Sequence, residues 1–482
     1  MKSLISTVLL LLLAVPALAQ TTHEHHAGMP ADMPLTSSGS ALSTADSTEQ
    51  FGHVFTKPPG EPVTVSPTWH GSGNAETASA YSLDNLLATA QQLNPTLCQA
   101  RLQISATLST AMQAGLYPNP MLSYSAEQIG VDGTAGEWHG LTVEQRVVRA
   151  RKLQLSRSKY RQRAKVAEHL AVAQQYRVLN DVRAHFYEVV AAKRVLHLKQ
   201  ELLKTAEDSS TTVREMYNLG QANRADVHRT NNQLQRHRLA VMMAENNVRQ
   251  LSSALAAIVG LCNSTVSIEG VLESKREFVD FDSSLGRLLA ESPLIAAAQA
   301  KLREDCITIQ REKVEAVPDL IFSGGSGYNF ERQQTVAAAG VALEIPLFNR
   351  NQGTIAQAQA DWNRQRLEIK RTQLQLQQQH AATFSRYLTA AQNVMNYEGS
   401  ILPESREAYR LALVGYKENR AEWPDVLEAQ TAYTNDRIAH VENLLTRRLA
   451  EVSIDGYLLH GGLQAAEGPT PPGHMDSTPD PR

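Results

Sequence analysis

Three cysteines in 482 residues, Cys98, Cys262 and Cys306, leave little room for a disulfide framework. An odd number cannot all pair within one chain, and their wide separations match no zinc-binding spacing. A single Cys98–Cys306 bridge stays open, with small buried hydrophobes as the favoured reading. Proline is missing from Met121 to Ser292, so nothing there interrupts very long helices. Beyond the N-terminus no run approaches the roughly 18 consecutive apolar residues of a membrane helix. That excludes a helical membrane protein but not a β-barrel, whose signal per strand is weak. Net charge is only −3, which implies no polyanion partner such as nucleic acid. Nucleophile elbow, zinc helix and phosphate loop are all absent. Gly324-Gly325-Ser326-Gly327 falls in an expected strand and leads into no helix. No enzyme and no cofactor are therefore expected.

What is present is said twice. Asn94-Pro95 opens a helical stretch and recurs as Ser292-Pro293; Pro120-Met121-Leu122 recurs as Pro318-Asp319-Leu320. Gln145 to Val148 recurs as Ile345 to Phe348. Tyr217 to Gly220 followed by Asp226-Val227 recurs as Tyr416 to Asn419 followed by Asp425-Val426. The offset holds at 198 to 200 residues, which predicts a tandem duplication about a pseudo-symmetry axis. The expected organisation is a signal peptide at 1–19, a disordered His-, Met- and Pro-containing segment at 20–79, repeats at 80–270 and 271–463, and a disordered tail at 464–482. Lys2, the apolar Val8 to Val15 and Ala17-Leu18-Ala19 carry the export signal.

Arg149 to Tyr217 is rich in good helix formers. Val178, Val182, Phe186 and Val190 lie four apart on one face. Unbroken, this helix would reach on the order of 100 Å at 1.5 Å per residue. Its counterpart runs from Thr354 toward Tyr416, with a kink expected at Pro403. Each repeat also holds two alternating stretches that read as strands: Met121 to Ile129 with Gly140 to Val148, and Leu320 to Tyr328 with Val336 to Ile345. Each approximates the 9–11 residues that cross a bilayer when tilted. A strand in lipid cannot leave its edge unpaired, and single-chain barrels start at about eight strands. With four, several chains must pool theirs; two hairpins in a soluble α+β protein remain the plainer reading of the strands alone.

Ile345-Pro346-Leu347-Phe348-Asn349-Arg350-Asn351-Gln352-Gly353 resembles the strand-to-helix junction of the TolC-like outer-membrane efflux proteins, in particular their heavy-metal (CzcC/CusC-type) branch. The order of helix, hairpin, long helix and returning helix, given twice, is similar to that family over residues 81 to 463. In the first repeat the family's Gln-Pro…Gly-Gly junction is replaced by Gln145-Arg146…Ala150-Arg151. The resemblance implies a mainly α chain with a small β part, a homotrimer whose twelve strands form an outer-membrane β-barrel, and a long periplasmic α-helical barrel. It implies a passive duct in a Gram-negative outer membrane, working with a periplasmic adaptor and an inner-membrane, proton-driven RND-type pump. Copper, silver, cobalt, zinc or cadmium would be the cargo.

Asp226 and Asp425 fall at equivalent points after the turns between long helices, and Asp425 and Glu428 share a helix face. The resemblance places Asp425 and Glu428 at the periplasmic constriction, where a trimer would carry six carboxylates that favour cations. It gives Tyr416 and Asp226 gate-closing contacts, with Arg420 one place before the family's partner arginine. Helix capping explains the same acids: Asn223 and Pro424 sit where helices start, and first-turn carboxylates suit the helix dipole. His23, His25, His26, Met29 and Met33 are ligand types for copper or zinc, against a solvated tail. Nine Lys or Arg and no acid lie between Arg146 and Lys165, read as a solvated face beside lipid headgroups. Two alternatives stand: a duct for drugs or secreted proteins, and a soluble periplasmic coiled-coil adaptor or scaffold.

Overall fold

A polar residue followed by proline starts the second helix of each repeat, because proline at the first helical position forfeits an N–H that has no partner there. The structure, a computed structural model, describes residues 81–129, 137–261, 268–273, 278–418 and 420–475. The expected signal peptide, the His/Met segment with His23, His25, His26, Met29 and Met33, and Cys262 lie outside them. The first repeat gives α1 (Leu83–Leu93), α2 (Pro95–Gln113), β1 (Met121–Glu127), β2 (Trp138–Val147), α3 (Lys152–Asn218) and α4 (Arg224–Val259). The second gives α5 (Phe281–Glu291), α6 (Pro293–Glu315), β3 (Leu320–Asn329), β4 (Gln334–Leu343), α7 (Gln352–Asn396), a π turn (Tyr397–Ile401), α8 (Leu402–Lys417) and α9 (Trp423–Asp455). At the α1–α2 corner Asn94 accepts from the Thr96 amide at 2.9 Å and donates to the Ile258 carbonyl at 2.7 Å.

α3 runs 67 residues without a break, about 100 Å at 1.5 Å per residue. Val178, Val182 and Phe186 are buried against Leu86, Leu97, Leu255 and Val259, while Val190 is only partly buried beside them and its neighbour Val189 is the one fully inside, so the four-residue periodicity marks the core face. Val166 and Leu170 pack on Ala297 and Ala300 of α6, whose small side chains let the two helices come close. Further along, Ala191 and Leu198 meet Val394, Val441 and Leu444 of α7 and α9. The second long helix is interrupted where Pro403 predicts. The proline ring crowds the carbonyl of Gly399 four residues back, and a π turn relieves this by bonding the Leu402 amide to the Tyr397 carbonyl. No described helix is long and apolar enough to cross a membrane.

The four strands form one antiparallel sheet in the order β1-β2-β3-β4, leaving the outer edges of β1 and β4 unpaired. Paired residues share a face, so the register sorts the side chains. One face carries Leu122, Tyr124, Leu141, Val143, Phe322, Val341 and Leu343; the other carries Ser123, Glu127, Thr142, Glu144, Arg146, Ser323 and Asn329. Every residue of β4 is exposed. No helix covers the apolar face.

Three expectations are corrected. Lys152, Lys159 and Arg163 of the basic run are buried, not solvated, because acids distant in sequence meet two of them: Lys152 pairs with Asp319 at 3.0 Å and Arg163 with Glu304 at 2.7 Å. Cys306 is exposed and Cys98 half-buried, and both are free thiols. Residues 464–475, expected to be disordered, lie against the helices. Asn180 donates to the carbonyls of Gly456 and Leu459, and Gln174 to those of Gly462 and Gln464. Asp181 accepts from the amides of Gly461 and Gly462 at 3.1 and 2.7 Å. Burial pushes that carboxyl up, but His460 and the two amides outweigh it and hold it below the usual range. A glycine- and proline-rich strap is thus held at its start by side chains of α3 and at its far end by Asp361 and Arg364 of α7, which meet the Met475 amide and His474.

At the strand-to-helix junctions Ala150, Arg151 and Asn351 adopt left-handed φ of 55°, 58° and 60°. The first junction, which lacks the family's glycines, keeps the turn and is tied down by Asp319. Its carboxylate meets Arg146 at 2.8 Å and the Arg149 amide at 3.2 Å. Left-handed backbone costs a non-glycine residue roughly 1–2 kcal/mol. Ala150→Gly should therefore raise stability by about 1 kcal/mol, read as a higher dissociation temperature of the assembled protein; an unchanged or lower temperature would show the turn is unstrained.

Candidate functional site at the helical tip

Both long helices end in short turns and come back, and the turns close alike. After α3, Gly220 takes a φ of 72° and the Gln221 amide returns to the Met216 carbonyl at 2.8 Å. After α8, the amides of Arg420 and Ala421 both donate to the Gly415 carbonyl, at 2.7 and 3.2 Å. Each returning helix then opens with an aspartate at its third position. Asp226 accepts from the Asn223 amide at 3.3 Å while the Asn223 side chain accepts from the Asp226 amide at 2.9 Å. Asp425 accepts from the Glu422 amide at 3.2 Å. Both carboxylates satisfy amides that a helix start otherwise leaves without partners.

Glu428 lies one turn beyond Asp425. Val426, buried, faces the neighbouring helices, so Asp425 and Glu428 are both exposed on the other side. Glu428 makes no hydrogen bond or ion pair among the described residues. Asp226 has a second, distant partner in Arg229 at 3.8 Å. Arg420 pairs with Glu418.

Tyr416 is not brought to Asp226. Its ring lies against Trp423, 4.9 Å between centroids, and the Trp423 indole N–H donates to Ser209 of α3 at 2.8 Å. Below it Gln430 donates to Thr205 at 2.8 Å and Arg437 meets Glu201 at 2.7 Å. These three contacts join the second hairpin to the first, and none was foreseen from sequence. The one available signal was the repeat: Trp423 replaces Arg224, and Tyr217, the counterpart of Tyr416, stays exposed with no such partner. The two tips have one cap but different neighbours. α8 has no buried residue at all, which makes the second hairpin the more weakly held.

Among the described residues no group of three His, Cys, Asp or Glu is arranged to hold a metal ion.

The model of the family described as "Outer membrane efflux protein" matches the chain twice, over residues 86–261 and 285–458. The chain belongs to that family. The double match follows the two repeats of helices and strands. The cobalt-zinc-cadmium resistance protein CzcC of Cupriavidus metallidurans is 24% identical over 391 residues, 80% of this chain and 91% of that one. Among solved structures, CusC superposes with a TM-score of 0.67 at 16% identity, covering 82% of this chain and 96% of its own. The Vibrio cholerae outer membrane protein VceC gives 0.63 at 19% identity, covering 79% and 95%. As in the family, four strands and two helical hairpins make one subunit of an outer-membrane β-barrel continued by a helical barrel.

Trp423→Phe keeps an aromatic ring against Tyr416 but leaves the buried Ser209 hydroxyl without its donor. The hold between the hairpins should weaken by about 1 kcal/mol, seen as faster amide exchange over the first turns of α9. Unchanged exchange there would show that this bond contributes nothing.

Proposed function

We propose that the chain is the outer-membrane channel of a tripartite exporter of heavy-metal cations, conducting passively from an inner-membrane pump and a periplasmic adaptor to the outside. The assembly supports this first: an apolar sheet face with two open edges belongs in lipid only when other copies supply the missing pairs. Three chains pooling four strands each give twelve, and α3, α4 and α7 to α9 then continue the wall into the periplasm. Energy comes from the pump, since nothing in the helical body suggests a reaction.

The single observation that carries the cargo is the relation to CzcC over most of both chains. The exposed pair Asp425 and Glu428 supports it. Repeated three times around a narrow mouth, these carboxylates attract cations and repel anions. Asp425 serves two ends, because one of its oxygens also closes the helix cap. Closure rests on Tyr416 against Trp423 and on the bonds from Trp423 to Ser209 and Gln430 to Thr205. Asp226 acts in its own cap and Arg420 braces the second turn through Glu418. A cation collecting at the mouth weakens repulsion among the acids, and docking of the adaptor supplies the remaining work of parting the hairpins.

Two measurements test this reading. Cells lacking the gene should lose tolerance to at least one of cobalt, zinc, cadmium, copper or silver; unchanged metal tolerance with new antibiotic sensitivity would make it a drug duct. Asp425→Asn with Glu428→Gln keeps an acceptor for the cap while removing charge. Reconstituted pores of that variant should lose most of their cation preference, and an unaltered permeability ratio would remove the acids from the selectivity mechanism.

A further inference from the structure

Only two residues of the four strands are fully buried, and both are glycines: Gly140 in β2 and Gly327, its partner across the β2–β3 pair. A single side chain covers them. A Cβ at Gly140 would lie 2.2 Å from Cζ2 of the Trp138 indole, and one at Gly327 would lie 2.5 Å from its Cε2. The ring is therefore laid flat along the sheet on a floor with no side chains, a close approach that only glycine permits.

Register decides which face this is. Trp138 pairs with Glu127 on one side and Asn329 on the other, and shares its face with Ser125, Thr142 and Glu144, not with Leu122, Leu141 or Val143. A tryptophan near a strand end most often sits in the lipid-facing aromatic belt. Here His139, Tyr124, Tyr328 and Phe330 fill that place. Tyr124 and His139 are hydrogen-bonded at 2.5 Å, and Phe330 meets the His139 and Tyr328 rings at 5.3 and 4.8 Å. The ten residues of β2 separate Trp138 from the helical junction, about 33 Å at 3.3 Å per residue, which puts it at the far mouth of the barrel.

We propose that Trp138 lines the water-filled exit of the pooled barrel and that the Gly140–Gly327 floor sets the exit bore by stowing the indole against the wall. Each subunit contributes one ring, with its free face turned to the lumen. Lifting it would bring three indoles toward the axis and narrow the mouth. This follows from the barrel assembly alone and holds whatever the cargo, so loss of the metal assignment leaves it untouched.

The first test uses full-length protein with Trp69→Phe, Trp362→Phe and Trp423→Phe, so that Trp138 is the sole tryptophan, reconstituted in vesicles. Aqueous caesium should quench its emission, and lipids brominated in the acyl chains should leave the emission intact. Quenching by brominated lipid with resistance to caesium would put the ring in the bilayer and overturn the proposal. The second test measures the largest polyethylene glycol that enters pores from the outer side. Gly140→Ala, whose Cβ would have three indole atoms as its nearest neighbours, should lower that cut-off, and adding Trp138→Ala should restore it. An unchanged cut-off in the single variant, or a loss that persists in the double variant, would equally overturn it.

Discussion

A hydrogen-bonded sheet edge cannot be left open in hydrocarbon, where each unsatisfied backbone group costs several kcal/mol. This chain has two such edges, on β1 and β4, and a face of Leu122, Leu141, Val143, Phe322 and Val341 that none of the described helices covers. One subunit is thus incomplete as a folded object in either water or lipid. Assembly is a condition of its structure, and the long helices, the tips and the exit all take their meaning from the closed cylinder.

The helical half answers a different demand. A helix of 67 residues gains little stability from its own hydrogen bonds and depends on packing along its length. α3 finds it in sections: apolar clusters with α1, α2 and α4, then with α7 and α9, and polar ties to the C-terminal strap through Gln174, Asn180 and Asp181. Toward the tip the buried apolar residues are fewer, among them Leu202, Ala206, Leu234 and Val426, and polar contacts such as Trp423 to Ser209 stand beside them. The π turn before Pro403 puts a break in only one of the two descending helices. Duplication supplied two similar hairpins; divergence at Trp423 and Pro403 made one of them the movable one in this account.

What could be read in the chain beforehand was local. The spacing of Val178, Val182 and Phe186 fixed a helix face, alternation of Leu141 and Val143 with Thr142 and Glu144 marked a strand, and Pro403 announced its own interruption. The misses were all long-range. Lys152 and Arg163 looked solvated because Asp319 and Glu304, which bury them, lie more than a hundred residues away. Residues 464–475 looked featureless because their order is imposed by distant side chains, Gln174 and Arg177 on α3 and Asp361 and Arg364 on α7. The bond from Trp423 to Ser209 left no local pattern, its partners being 214 residues apart. The stowing of Trp138 needs the β2–β3 register, which composition does not contain.

Cross-linking between sheet edges tests the central claim most directly. In protein freed of its native cysteines, single cysteines would be scanned along β1 from Leu122 to Ala126 against a cysteine at Ala338 in β4, in membranes under mild oxidation. The account predicts that one register yields a disulfide-linked trimer that resists detergent and heat. A chain that extracts as a water-soluble monomer, with no position giving a cross-link, would contradict it.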